Sequence, residues 1–175
     1  MKNIFLLFLL STPCYAGSVY IDQVGDSNVI YVDQSSSGNS EAILLNKGDS
    51  NNLSVVQGGS GDHLAFIGTP PVGQNNGAYI TNNNASSNSN NTLTVLQSGS
   101  GNHTAAINLD SSVSNNNNNA TITQSGAADK DFVLNLSGSN IGATILQDSA
   151  TTPDNSNMNI QCYTGTCGGY SYTKH

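Results

Sequence analysis

Residues 18–39 read SVYIDQVGDSNVIYVDQSSSGN, and within them Gln23, Asn28, Gln34 and Asn39 follow one another at steps of five, six and five residues. Seven more residues reach Asn46, from which Asn51, Gln57 and Asp62 repeat five, six and five, and another seven reach Thr69. Two successive periods are therefore 23 residues each. The third unit carries Pro70-Pro71 in its turn and keeps only the six-residue step from Asn76 to Asn82. Gln97, Asn102 and Asn108 open the fourth, and the run Asn115 to Asn119 stretches the count to 27 before Gln124. Asp129, Asn135, Asn140 and Gln147 then restore five, six, five and seven, and a half-matched last unit ends at Gln161. Self-similarity at a fixed period marks a stacked-repeat architecture.

The residues between the amides say what each unit is. Two and four places before the first amide of each unit stand Val19 and Ile21, Ala42 and Leu44, Ala65 and Ile67, Leu93 and Val95, Ala120 and Ile122, Ala143 and Ile145. Alternation at period two marks a strand with one buried face, and the amide shares that face. The second segment reads Ile30 and Val32, Leu53 and Val55, Ala78 and Ile80, then weakens to Thr104 and Ala106 and to Asp131 and Val133. Gly-Asp-Ser, Gly-Ser-Gly and Gly-Ala-Ala between the segments suit tight turns. A lone unit of this kind cannot bury its apolar face, so the units must stack. The expected fold is all-β: a two-sheet parallel β-solenoid, amyloid-like, of about six strand-turn-strand repeats, rising roughly 29 Å at about 4.8 Å per rung. Equivalent amides would then bond to those above and below, offsetting the roughly 1–3 kcal/mol that a buried unpaired amide costs. The asparagine-rich stretches Asn82 to Asn91 and Asn115 to Asn119 read as loops.

Composition narrows the function. Of 175 residues only 9% are charged, none is Trp or Arg, and the net charge is −7. A chain without a basic face cannot neutralise a phosphate backbone, so nucleic acid is excluded as a partner. Lys2, the apolar run Ile4 to Leu10 and the Cys14-Tyr15-Ala16 tripeptide read as an export signal cleaved after Ala16. Seven apolar residues fall far short of the roughly 20 that span a bilayer. The expected organisation is a signal peptide over 1–16, solenoid repeats over 17–161 and a tail over 162–175, with no transmembrane segment in the mature chain.

The phased amides, YIDQVGDSNVIYVDQ above all, resemble the curlin repeats of bacterial curli fibre subunits from about residue 18 to residue 161. The resemblance implies a secreted subunit of an extracellular, cell-surface, cross-β fibre used in adhesion and the biofilm matrix. It implies a homopolymer, served by a nucleator subunit and by outer-membrane export machinery. It also implies a structural amide ladder through Gln23, Asn28, Gln34, Asn39, Asn46, Asn51, Gln57, Gln97, Asn102, Asn108, Gln124, Asn135, Asn140, Gln147 and Gln161. Curlins carry a Gly-rich leader before the first unit, whereas here the first unit follows the expected cleavage site directly, and they lack the two-cysteine tail.

The remaining motifs read as structural. Cys162 and Cys167, five apart in an exported chain, are expected to close as a disulfide capping the last rung. Zinc would need two further ligands, and only His175 is near. Gly58 to Asp62 is one place out of step with a calcium-binding repeat. His63 and His103 share a phase after Asp62 and Asn102, expected to point outward beside a turn. Asp129 and Asp131 around Lys130 read as charges that weaken one rung and discourage premature aggregation. No catalytic residue, metal or cofactor is expected. Three outward apolar columns are expected: Tyr20, Ile43 and Phe66; Tyr31, Tyr79, Phe132 and Met158; Val56, Ile107, Leu134 and Ile160. Thr92, Thr94, Thr121 and Thr123 also face outward, with Tyr20, Ile43 and Phe66 expected in the Thr94 column. The last unit is expected to turn Asn157 and Asn159 inward. Function thus reads as a fibre subunit, or alternatively as a capped monomeric solenoid that binds surfaces.

Overall fold

The computed structural model describes residues 17–35, 38–68, 89–110, 113–162 and 167–175. The expected signal peptide, Thr69 to Asn82 and Tyr79 lie outside them. Twelve strands are described: β1 (Ser18–Val24), β2 (Val29–Gln34), β3 (Ser40–Lys47), β4 (Asn52–Gly59), β5 (His63–Gly68), β6 (Thr92–Gly99), β7 (His103–Leu109), β8 (Asn119–Gly126), β9 (Lys130–Gly138), β10 (Gly142–Gln147), β11 (Asp154–Cys162) and β12 (Gly169–Lys174). The odd strands form one six-stranded sheet and the even strands another, with successive neighbours paired in parallel. The chain is a two-sheet β-solenoid.

Turns make the stacking possible. Between odd and even strands a residue in the left-handed region recurs, at Ser27, Ser50, Asn90, Asn117 and Asn140, with φ of 56–58°. Asn tolerates this conformation better than most side chains do. Rungs approach so closely at the opposite turns that a Cβ on Gly99, at φ +115°, would lie 2.2 Å from the Gly126 carbonyl oxygen. Glycine is required there.

The narrow core lies between the sheets. Ala42, Leu44, Ala65, Ile67, Ala105, Ile107, Phe132 and Leu134 enter from the odd sheet, and Leu53, Val55, Leu93, Val95, Ala120, Ile122, Ala143 and Ile145 from the even one. Fully burying an aliphatic side chain of this size contributes about 1.5–3 kcal/mol. Val19 and Ile21, in the end strand β1, are exposed.

The repeat frame changes sheets across residues 69–88. Leu93, Val95 and Gln97 read in sequence as equivalents of Val19, Ile21 and Gln23, but they pair with Leu53, Val55 and Gln57 and belong to the even sheet. Every later segment is therefore displaced by half a coil. Thr104, Ala106, Asp131 and Val133, expected to point inward, lie on the outer side of β7 and β9, while Ala105, Ile107, Phe132 and Leu134 are buried. In the odd sheet the inner-face amide of β3, Asn46, stands seven residues after the turn residue Asn39, whereas Asn108 and Asn135 stand six after Asn102 and Asp129, so they and the residues two and four before them face outward, and Leu109 and Leu136 close the inner face. In β11 the buried or partly buried side is Asp154, Ser156, Met158, Ile160 and Cys162, and Asn157 and Asn159 are exposed. Of the three outward columns only Tyr20, Ile43 and Phe66 keeps its register, on β1, β3 and β5, and within it Ile43 is buried, Phe66 half-buried and Tyr20 exposed. Phe132, Ile107, Leu134 and Ile160 are core residues. The Thr94 column holds Tyr31, Ser54, Thr121, Thr144 and Ser171 instead, on the even sheet.

Candidate functional site

Five glutamines at the ends of the even strands form one continuous ladder. The Gln34 Nε2 donates to Gln57 Oε1 at 2.9 Å, Gln57 to Gln97 at 3.0 Å, Gln97 to Gln124 at 2.9 Å and Gln124 to Gln147 at 2.8 Å. The sequence separations are 23, 40, 27 and 23 residues, so insertions in the loops leave the ladder intact. Each amide also ties the sheets together: Gln57 Nε2 reaches the Glu41 and His63 carbonyls, and Gln97 Nε2 those of Leu64 and His103. All donors point the same way. The ladder starts as an acceptor at Gln34 and ends as a donor at Gln147, whose Nε2 meets Asp154 Oδ2 at 2.6 Å.

A second column precedes the even strands. The backbone N–H of Asn51 donates to Asn28 Oδ1 at 2.8 Å, that of Asn91 to Asn51 Oδ1 at 2.9 Å, that of Asn118 to Asn91 Oδ1 at 3.0 Å, and that of Ile141 to Asn118 Oδ1 at 2.9 Å. Asn91 and Asn118 are buried members that the loop reading missed. The signal was present: Asn28, Asn51, Asn91 and Asn118 each stand six residues before a ladder glutamine.

The other amides of the expected ladder have different places. Asn39 and Asn102 are exposed turn residues aligned with Asp62 and Asp129, and each rung's N–H donates to the next side-chain oxygen. Asn108 and Asn135 sit on the outer face, where Asn108 Nδ2 donates to Asn135 Oδ1 at 2.8 Å and Asn135 Nδ2 to Asn159 Oδ1 at 2.5 Å. Asn140 is an exposed left-handed turn residue and Gln161 an exposed outer residue of β11. Gln23 pairs in register with Asn46 and is exposed. The buried Asn46 accepts from Asn51 Nδ2 within its own coil at 3.0 Å, and its Nδ2 has no partner among the described residues. The half-coil displacement puts Asn102 in the exposed turn column of Asn39 and Asp62, and the six-residue steps from Asn102 and Asp129, one short of that from Asn39 to Asn46, leave Asn108 and Asn135 on the outer face.

Comparison with protein-family models, curated proteins and solved structures finds no match for this chain.

His63 and His103 do not point outward: each is 1% exposed. They begin odd strands, in a register column with Ser40, Lys130 and Asp154. Their rings stack at 5.0 Å, 13° from parallel. The Lys130 Nζ donates to the carbonyls of Ala128 and Ser149 at 2.9 and 2.7 Å. Burial lowers the Lys130 pKa against the opposing pull of Asp148, Asp154 and Asp129. Asp154 closes the column. Burial would raise its pKa, but hydrogen bonds from Ser156, Gln147 and Tyr172 and the charge of Lys174 together hold it below 3.8.

The tail is a strand of the solenoid. Cys162 and Cys167 are joined, with Cα atoms 5.9 Å apart, and β12 pairs along β10. Tyr172 packs on Phe132 and shares Asp154 with Lys174, which stands opposite Gln147. The sixth coil is therefore complete, with Tyr170, Tyr172 and Lys174 where earlier even strands carry aliphatic residues and Gln. Among the described residues no three metal-ligating side chains converge.

Proposed function

We propose that the chain is a secreted structural subunit that stacks end to end into extracellular amyloid-like fibres, of the kind the curlin resemblance implies, and carries out no catalysis. The observation that carries this reading is the glutamine ladder, unbroken over five rungs and of a single polarity from Gln34 to Gln147. The ladder is open as an acceptor at Gln34; at the other end Gln147 is bonded to Asp154 and the terminal even strand carries Lys174, so a second copy added head to tail would set the Lys174 ammonium, also a donor, opposite a Gln34 amide. Both end coils present strand edges, which are templates for pairing unless covered. The exposed Val19, Ile21 and Tyr20 of the first coil gain burial from a neighbour. Adhesion and matrix cohesion, at the bacterial surface, follow from such a fibre.

A second reading, a monomeric solenoid that binds surfaces, draws on β12, whose Tyr170, Tyr172 and Lys174 break the aliphatic and Gln pattern at one end. The two are separated by incubating purified residues 17–175 at neutral pH. Unbranched fibres with a meridional repeat of about 4.7–4.8 Å support the first. Protein that stays monomeric by light scattering at high concentration selects the second.

A further inference from the structure

We propose that the stacked imidazoles of His63 and His103, with the Lys130 ammonium on the next rung, form an acid-sensitive latch that holds the middle coils together near neutral pH and releases them in acid. The inference concerns the folded chain itself and stands apart from the fibre reading.

Both rings are buried and parallel, and each Nε2 lies against a carbonyl of its own turn, Gly58 O at 2.9 Å and Ser98 O at 3.0 Å. A carbonyl accepts only, so Nε2 carries the proton in both rings. Neither Nδ1 has a hydrogen-bond partner among the described residues, although both are buried. In the neutral ring that nitrogen is a bare lone pair. In the imidazolium it is an N–H, and a buried donor with no acceptor is costly. The column adds charge to this cost. A protonated His103 lies between a ring 5.0 Å away and the register partner Lys130. Acid would place up to three cations on successive rungs of one buried column.

The neighbouring charges do not offset this. Asp62 beside His63 is exposed in the turn, as is Asp129 near Lys130. Asp148 and Asp154 act on Lys130, and Asp154 lies a rung beyond it, hydrogen-bonded to Gln147, Ser156 and Tyr172. Glu41 is on the outer face of β3. The even strands opposite present the uncharged Gln57 and Gln97, which donate to the His63 and His103 carbonyls. Burial accordingly lowers both histidine pKa values from 6.5, against the Gly58 and Ser98 hydrogen bonds, and for His103 the charges of His63 and Lys130 lower it further.

Because the folded-state values lie below those of the unfolded chain, the unfolded chain binds more protons in the window between them. Stability is thus complete above about 6.5 and is lost as pH falls toward the folded-state values. The folded-to-unfolded ratio should fall toward a limit of about tenfold per pH unit for each histidine.

The test is urea unfolding of the mature chain from pH 7.5 to 5, beside His63→Gln with His103→Gln, since a Gln amide can keep a donor on the Gly58 and Ser98 carbonyls. The wild type should lose at least tenfold in its folding equilibrium across that range, and the double variant less than threefold. Should the double variant fail to fold, a nitrogen-detected NMR titration of the wild-type imidazoles decides. Protonation of both rings well below pH 6.5, from the Nε2–H form, supports the latch. Ordinary titration of both histidines, or an equal pH loss in wild type and double variant, overturns it.

Discussion

Truncation of Gln97 to Ala tests whether the glutamine ladder supports the fold or merely decorates it. Gln97 Nε2 donates to Leu64 O, His103 O and Gln124 Oε1 at 2.9, 3.0 and 2.9 Å, and its Oε1 accepts from Gln57 at 3.0 Å. The Gln57 amide keeps its bonds to Glu41 and His63, so its loss is the smallest. The Leu64 and His103 carbonyls and Gln124 Oε1 each lose this donor, and Gln97 is 2% exposed, so water does not replace it freely. The Gln97 amide has two protons for these three acceptors, so two full bonds are lost, and at about 1–1.5 kcal/mol each the substitution costs roughly 2–3 kcal/mol. Gln34, at the solvated end, makes two such bonds, to Ser18 O at 3.1 Å and to Gln57 at 2.9 Å. Gln34→Ala should cost about 1 kcal/mol, because water substitutes there. With a urea m-value of about 2 kcal/mol/M, Gln97→Ala should lower the unfolding midpoint by about 1–1.5 M and Gln34→Ala by about 0.5 M. Equal midpoint shifts would refute the premise that the ladder's contribution comes from its burial.

Asn118→Ala removes the acceptor of the Ile141 N–H and a donor to Gly138 O at 2.9 Å, and should cost about 2–3 kcal/mol by denaturant unfolding. Asn140→Gly should be nearly neutral in the same assay, because the residue is exposed with φ of 58°, whereas Asn140→Val should be strained. Phe132→Ala, which empties a fully buried site against Tyr172, should cost about 3–5 kcal/mol and loosen β12 in hydrogen exchange. Asp154, whose pKa is held below 3.8, contributes stability that is present above that pH and lost as pH falls through the folded-state value; Asp154→Asn should flatten this acid limb in a melting series from pH 5 to 2.

Period-two alternation, phased amides and turn residues were enough to determine that this chain builds parallel strand-turn-strand coils, because those signals are local and each coil repeats them. They marked Gln34, Gln57, Gln97, Gln124 and Gln147 as ladder amides, though with Gln97, Gln124 and Gln147 in the column of Gln23 and Asn46, and Cys162 with Cys167 as a pair. They could not say which sheet a strand joins. Val19-x-Ile21-x-Gln23 and Ile30-x-Val32-x-Gln34 have one pattern, and only hydrogen bonding between rungs distinguishes them. Once residues 69–88 intervene, that register decides everything downstream: Phe132 becomes core, Asn108 and Asn135 become an outer ladder, and Asn91 and Asn118 become buried acceptors within runs that look like loops. The burial of His63 and His103 has the same origin. In the chain each is a lone histidine after a polar turn residue, and it is the stacking of β5 on β7 and of β7 on β9 that places two imidazoles and a lysine in one buried column.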